Sequence, residues 1–168
     1  MRNFLITVVI FGVLLTAGFY VNQHFAPVPS LERQIPKLDS SFNRFVHLDT
    51  HDGIEIGFYK DQEGWLGVGL LEPSVNKEAH RLGNTALPSR HGSMSASRTL
   101  ASTGDYFLYG AIGNPSVTQV YVNDTPCDTF KLDETALWYC FFEERPASEE
   151  IQGRDAAGSV RYRSSRGG

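Results

Sequence analysis

Alternation of apolar and polar positions is clearest in IEIGFYK, residues 54–60. Ile54, Ile56 and Phe58 fall on one face, and Glu55 and Tyr59 on the other. This is the period-two spacing of a half-buried strand. WLGVGLL, residues 65–71, repeats it with Leu66, Val68 and Leu70 aligned. FNRFVHLDT, residues 42–50, precedes both as a further strand. Asp52-Gly53 separates the first two segments and tolerates positive φ, the signature of a tight hairpin. Asp61-Gln62-Glu63-Gly64 supplies the next turn. Three strands joined by short turns predict an antiparallel meander.

The alternation then stops. Residues 72–104 are rich in Ser, Arg, Asn and Gly, and the pattern predicts one long loop there, the most variable surface of the domain, with a short helical turn over Asn76–Leu82. Strands resume with DYFLYGAI (105–112) and SVTQVYVN (116–123), divided by Asn114-Pro115. Asn123-Asp124 marks another tight turn, after which the segment to Leu132 and LWYCFF (137–142) form a hairpin. An acidic loop, Glu143–Glu150, leads to two short strands around Asp155–Gly158. LWYCFF is apolar on both faces, as expected of a strand covered on both sides or meeting a partner on one. About seven or eight short strands predict an all-β fold, an antiparallel immunoglobulin-like β-sandwich of about seven strands.

A different pattern opens the chain. Phe4–Val21 is 18 residues without a charge, enough for one N-terminal transmembrane helix. Arg2 precedes it and no Lys or Arg follows until Arg33, so the positive-inside rule puts the N-terminus in the cytoplasm and the rest outside. The alternative is secretion after signal-peptide cleavage, for which Thr16-Ala17-Gly18 offers small residues, while Ala26 is disfavoured by Pro27. The expected organisation is a signal anchor over 1–21, a linker over 22–37 stiffened by Pro27, Pro29 and Pro36, a β-domain over 38–163 and a disordered tail over 164–168.

Composition narrows the class. The chain has 168 residues, a formal charge of −4, 41% apolar and 20% charged residues. That suits one globular domain, and the absence of a basic bias argues against a nucleic-acid partner. The two cysteines, Cys127 and Cys140, lack the CxxC spacing of a zinc site. Outside the cytoplasm a pair in a small domain tends to be oxidised. If Phe130 and Leu137 close the hairpin between them, Cys127 faces Cys140 at a Cα separation of about 4.5–5.5 Å, within disulfide range. A shorter turn makes the pair a diagonal, about 7–8 Å apart, and leaves two buried thiols.

Candidate chemistry is sparse. His47, Asp49 and His51 share one face of the first strand, so two imidazoles and a carboxylate offer a metal site or a polar outer face. His80, His91 and the serines of RHGSMSAS (90–97) lack a GxSxG elbow and read as solvated loop. Asn123-Asp124-Thr125 fits a glycosylation sequon but serves first as a turn. Arg154, Arg161, Arg163 and Arg166 offer a basic surface for anionic lipid or wall polymer or a charged edge that blocks sheet-to-sheet pairing. Gly67-Val68-Gly69 lies within a strand and cradles no phosphate.

DGIEIGFYKDQEGW (52–65) and YFLYGAIGNPSVTQVYVND (106–124) resemble segments of small membrane-anchored extracytoplasmic proteins of Gram-positive bacteria, over about two-thirds of the chain. The resemblance rests on turn and strand residues, implies a fold and supplies no catalytic set; the Cys127/Cys140 pair departs from it. The expectation is therefore a non-enzymatic binding or sensing module without cofactor, held to membrane lipid by its N-terminal helix, with a protein partner in the cell envelope. The alternatives are a metal-dependent enzyme using His47, Asp49 and His51, and a structural subunit docking through LWYCFF.

Overall fold

A computed structural model of the chain describes residues 30–72 and 78–167; the expected membrane helix lies outside them. Among the described residues no helix is long and apolar enough to cross a membrane. Among the described residues, a helix, α1 (Leu31–Leu38), precedes eleven strands: β1 (Phe42–His51), β2 (Ile54–Asp61), β3 (Leu66–Leu71), β4 (Ala79–Thr85), β5 (Ser93–Thr99), β6 (Tyr106–Ile112), β7 (Gln119–Val122), β8 (Thr125–Leu132), β9 (Thr135–Phe142), β10 (Ser148–Arg154) and β11 (Val160–Gly167). The first four form a sheet in sequence order. The other seven form a second sheet ordered β11-β10-β7-β8-β9-β6-β5.

The two sheets are antiparallel and pack as a sandwich. Ile54, Ile56, Phe58, Leu66, Val68 and Leu70 meet Phe107, Tyr109, Leu137 and Tyr139 in one core. The tight turns form where the sequence places them: Asp52 and Gly53 have φ of 48° and 81°, Asn123 and Asp124 of 48° and 63°.

The far face of the seven-stranded sheet is apolar too. Leu108, Ile112, Trp138 and Cys140 form a second core with Val120, Val122, Cys127 and Ile151. The sheet therefore rolls back over itself. Strand β8 makes the turn: its residues up to Cys127 pair with β7, and those from Asp128 onward pair with β9. This explains LWYCFF, whose alternate side chains serve two cores. At the bend Cys127 and Cys140 are joined by a disulfide with a Cα separation of 4.9 Å. The neighbouring register, Phe130 opposite Leu137, is the one that brings the two cysteines face to face.

The outer face of the four-stranded sheet is covered by α1. Leu31 and Ile35, one helical turn apart, are fully buried. They approach so closely that a Cβ at Gly57 would stand 2.8 Å from Leu31 and one at Gly69 2.6 Å from Ile35. Glu55 accepts from the Leu31 N–H at 2.7 Å, which supplies the helix N-terminus with a carboxylate. At the other end the buried Asp39 accepts from the Ser41 N–H at 3.0 Å and from the Tyr59 hydroxyl at 2.7 Å. Asn84 Nδ2 lies 3.3 Å from both Asp39 and Asp61, and Arg81 is 3.5 Å from Asp39. Burial alone would raise the Asp39 carboxyl. The hydrogen bonds from Ser41, Tyr59 and Asn84 outweigh it and hold the group at about 2. Burial, and donation to Asp39, raise the Tyr59 phenol.

The described residues depart from the expected organisation in three places. Residues 72–104 are not one loop, because β4 and β5 lie there; both are sheet edges, so only one side of each strand needs pairing and their polar composition is tolerated. With these two added to the segments that alternate, the strand count among the described residues reaches eleven rather than about seven. The expected linker 22–37 includes most of α1, whose buried Leu31 and Ile35 outweigh the cost of Pro36 close to the helix end. The tail from residue 164 extends β11, paired to β10 as far as Gly167.

Candidate functional site: a cleft between two free strand edges

Rolling the seven-stranded sheet brings its two ends, β5 and β11, to opposite sides of one cleft. Ser93, Met94 and Ser95 contribute from β5, Tyr162 and Ser164 from β11, and Ile112, Trp138 and Ile151 form the floor. The cavity volume is about 280 Å³, just below the roughly 300–1,000 Å³ of typical small-molecule sites. Period two explains the lining of β11: Tyr162 and Ser164 turn inward while Arg161 and Arg163 turn out. Ser93 and Tyr162 share a hydrogen bond between their hydroxyls, and Asn114 Nδ2 reaches the Arg161 carbonyl at 3.5 Å. These contacts close one end of the cleft.

Trp138 dominates the floor. It is fully buried and lies opposite Gly110 of β6, where a Cβ would come within 2.7 Å of the indole and 2.3 Å of the Met94 carbonyl oxygen. Only glycine leaves room for the ring there. The Trp138 indole Nε1 has no hydrogen-bond partner among the described residues. A buried donor left unpaired costs about 1–3 kcal/mol, and this one is shielded from solvent by the packing around the ring. The described lining includes four hydroxyl-bearing residues and no charged side chain, which suits an uncharged group.

Most residues singled out from the sequence lie elsewhere. His47, Asp49 and His51 do share one face of β1, but each is engaged with the opposite sheet. His47 stacks on Phe130 at 3.9 Å between ring centroids, and His51 on Phe141 at 4.1 Å. Asp49 accepts a hydrogen bond from the Tyr139 hydroxyl, which holds its carboxyl below the usual range. Burial, followed by that same bond, raises the Tyr139 phenol. The three residues thus clasp the edge of the sandwich, and among the described residues no group of His, Cys, Asp or Glu is arranged to hold a metal ion.

The serines of RHGSMSAS behave differently from the loop reading: Ser93 and Ser95 stand in β5 and line the cleft, with no histidine beside them in the lining. His80 is in β4. Asn123 engages both ends of its side-chain amide, donating to the Ser148 carbonyl at 2.6 Å and accepting from the Glu150 N–H at 2.9 Å, so the sequon is used as a turn clamp. Three basic residues of the C-terminal hairpin are paired, Arg154 with Asp124, Arg161 with Asp155 and Arg163 with Glu150; the Arg166 side chain lies outside the described residues. Tyr162, Ser164 and Trp138 carried no signal as site residues; only the inward alternation of Tyr162 and Ser164 hinted at a shared face.

The fold and this cleft define an all-β sandwich with an open-sided, hydroxyl-rimmed pocket. No protein-family model, curated protein or solved structure matches the chain.

Proposed function

We propose that the protein is a membrane-anchored extracytoplasmic binding module, non-enzymatic, whose ligand site is the cleft between β5 and β11. The observation that carries this reading is the cleft itself: an apolar floor under a rim of hydroxyls. The uncharged run Phe4–Val21 supports the anchor, and the Cys127–Cys140 disulfide supports an oxidising compartment. The sandwich is read as immunoglobulin-like in its layering, two antiparallel sheets face to face, and not in strand number. The metal-enzyme alternative loses its motive because His47 and His51 stack on phenylalanines. The subunit alternative is weakened because Leu137 to Cys140 are buried, which leaves only Phe141 and Phe142 of LWYCFF partly exposed.

The test uses the uncharged fluorescent probe N-phenyl-1-naphthylamine with the full chain. One molecule binds per chain with enhanced emission, and Ser164→Trp, which fills the cleft from β11, abolishes the signal. Binding unchanged by Ser164→Trp, or no binding, would remove the site. Fractionation of cells producing the full chain should recover it in membranes resistant to alkaline carbonate, and recovery in the cytosol would refute the anchor.

A further inference from the structure

All six pairings within the seven-stranded sheet are antiparallel. Strand directions therefore alternate along the row, and with an odd number of strands the first and last run the same way. β11 and β5 face each other across the cleft in parallel, and no backbone pairing joins them. Both present unpaired backbone groups along one side, the arrangement that invites strand addition. An eighth strand between them would be antiparallel to both and would complete an even, all-antiparallel barrel. The reach of the Ser93–Tyr162 contact, made side chain to side chain, leaves the backbones apart.

Resting on the cleft as the binding site, we infer that its ligand is an extended peptide segment of a partner protein, added as that eighth strand. Strand addition draws affinity from main-chain hydrogen bonds and specificity from pockets for alternate side chains. Here alternate residues would point inward, where Ile112, Trp138 and Ile151 form an apolar floor. The remaining residues would point outward. On that face the edges carry Arg98 of β5 and Arg161 and Arg163 of β11, the last two in exposed pairs with Asp155 and Glu150 from outside the edge strands, and neither edge strand itself contains an acidic residue. The fitting partner therefore alternates apolar and acidic residues. It enters from the Ser164 side, because Ser93–Tyr162 and Asn114–Arg161 close the other end.

The probe is an acetylated octapeptide alternating valine and glutamate, added to the full chain while backbone amide exchange is followed. Exchange slows at least tenfold in β5 and β11 and is unchanged in β1 and β4, the edges of the other sheet. N-methylation of alternate peptide amides abolishes the effect. Arg163→Glu, on the exposed face, weakens this peptide at least threefold and favours its valine–lysine counterpart. Equal protection of β1 or β4, no protection of β5 and β11, or indifference to N-methylation would overturn the inference. If N-phenyl-1-naphthylamine still binds while the octapeptide does not, strand addition falls and the cleft stands; if neither binds, both fall.

Discussion

Replacing Cys127 and Cys140 together by alanine lowers the unfolding free energy by about 3 kcal/mol, the chain-entropy value for a loop of about 15 residues; the cysteines are 13 apart. In urea this appears as a fall in midpoint of roughly 1–3 M, since m lies near 1–3 kcal/mol/M for small domains. The position of the bond matters as much as the loop it closes. It joins β8 to β9 where β8 leaves one half of the sheet for the other, so it fixes the angle of the roll. Its loss therefore loosens the cleft as well as the fold. Dye binding weakens in the double variant under conditions where it remains folded. A midpoint within 0.3 M of wild type, a margin that scales with m, would show that packing alone sets the bend.

The second large effect is acid-dependent. Asp39 is buried and held at about 2 against an ordinary 3.8. A carboxyl depressed on folding stabilises the protein above its unfolded pKa, and that contribution is lost as pH falls through the folded value. The difference is worth about 2 kcal/mol at neutral pH. Wild type should lose this between about pH 4 and pH 2. Asp39→Asn, of nearly equal size, should be less stable than wild type by about 2 kcal/mol at pH 7, with the gap narrowing across the same interval. Urea unfolding of both proteins at a series of pH values checks it. A gap independent of pH would mean that Asp39 acts through shape and not charge.

Turn chemistry and alternation made the centre of the fold legible. Asp52-Gly53 and Asn123-Asp124 marked hairpins because few residues other than Gly, Asn and Asp accept positive φ. Ile54, Ile56 and Phe58 marked a core face. The edges were not legible. β4 and β5 face core on one side only, so SMSASRT presents Met94 and Ala96 as its sole apolar alternation, too short a pattern to stand out among serines. Pro36 disguised α1, though Leu31 and Ile35 have helical spacing. The candidate site was hidden for a deeper reason. Ser93 and Tyr162 are 69 residues apart in sequence and meet only because β8 bends and the sheet rolls, a global event with no local signature. His47, Asp49 and His51 were visible as a shared face, but the aromatic residues that occupy them come from strands more than 70 positions further on.

The proposed binding site is one cleft, bounded by β5 and β11. It is tested most directly by titrating the valine–glutamate octapeptide into the full chain preloaded with N-phenyl-1-naphthylamine. The expected result is complete, competitive displacement of the dye at one peptide per chain. Simultaneous binding of dye and peptide would contradict it, as would displacement that persists in Ser164→Trp.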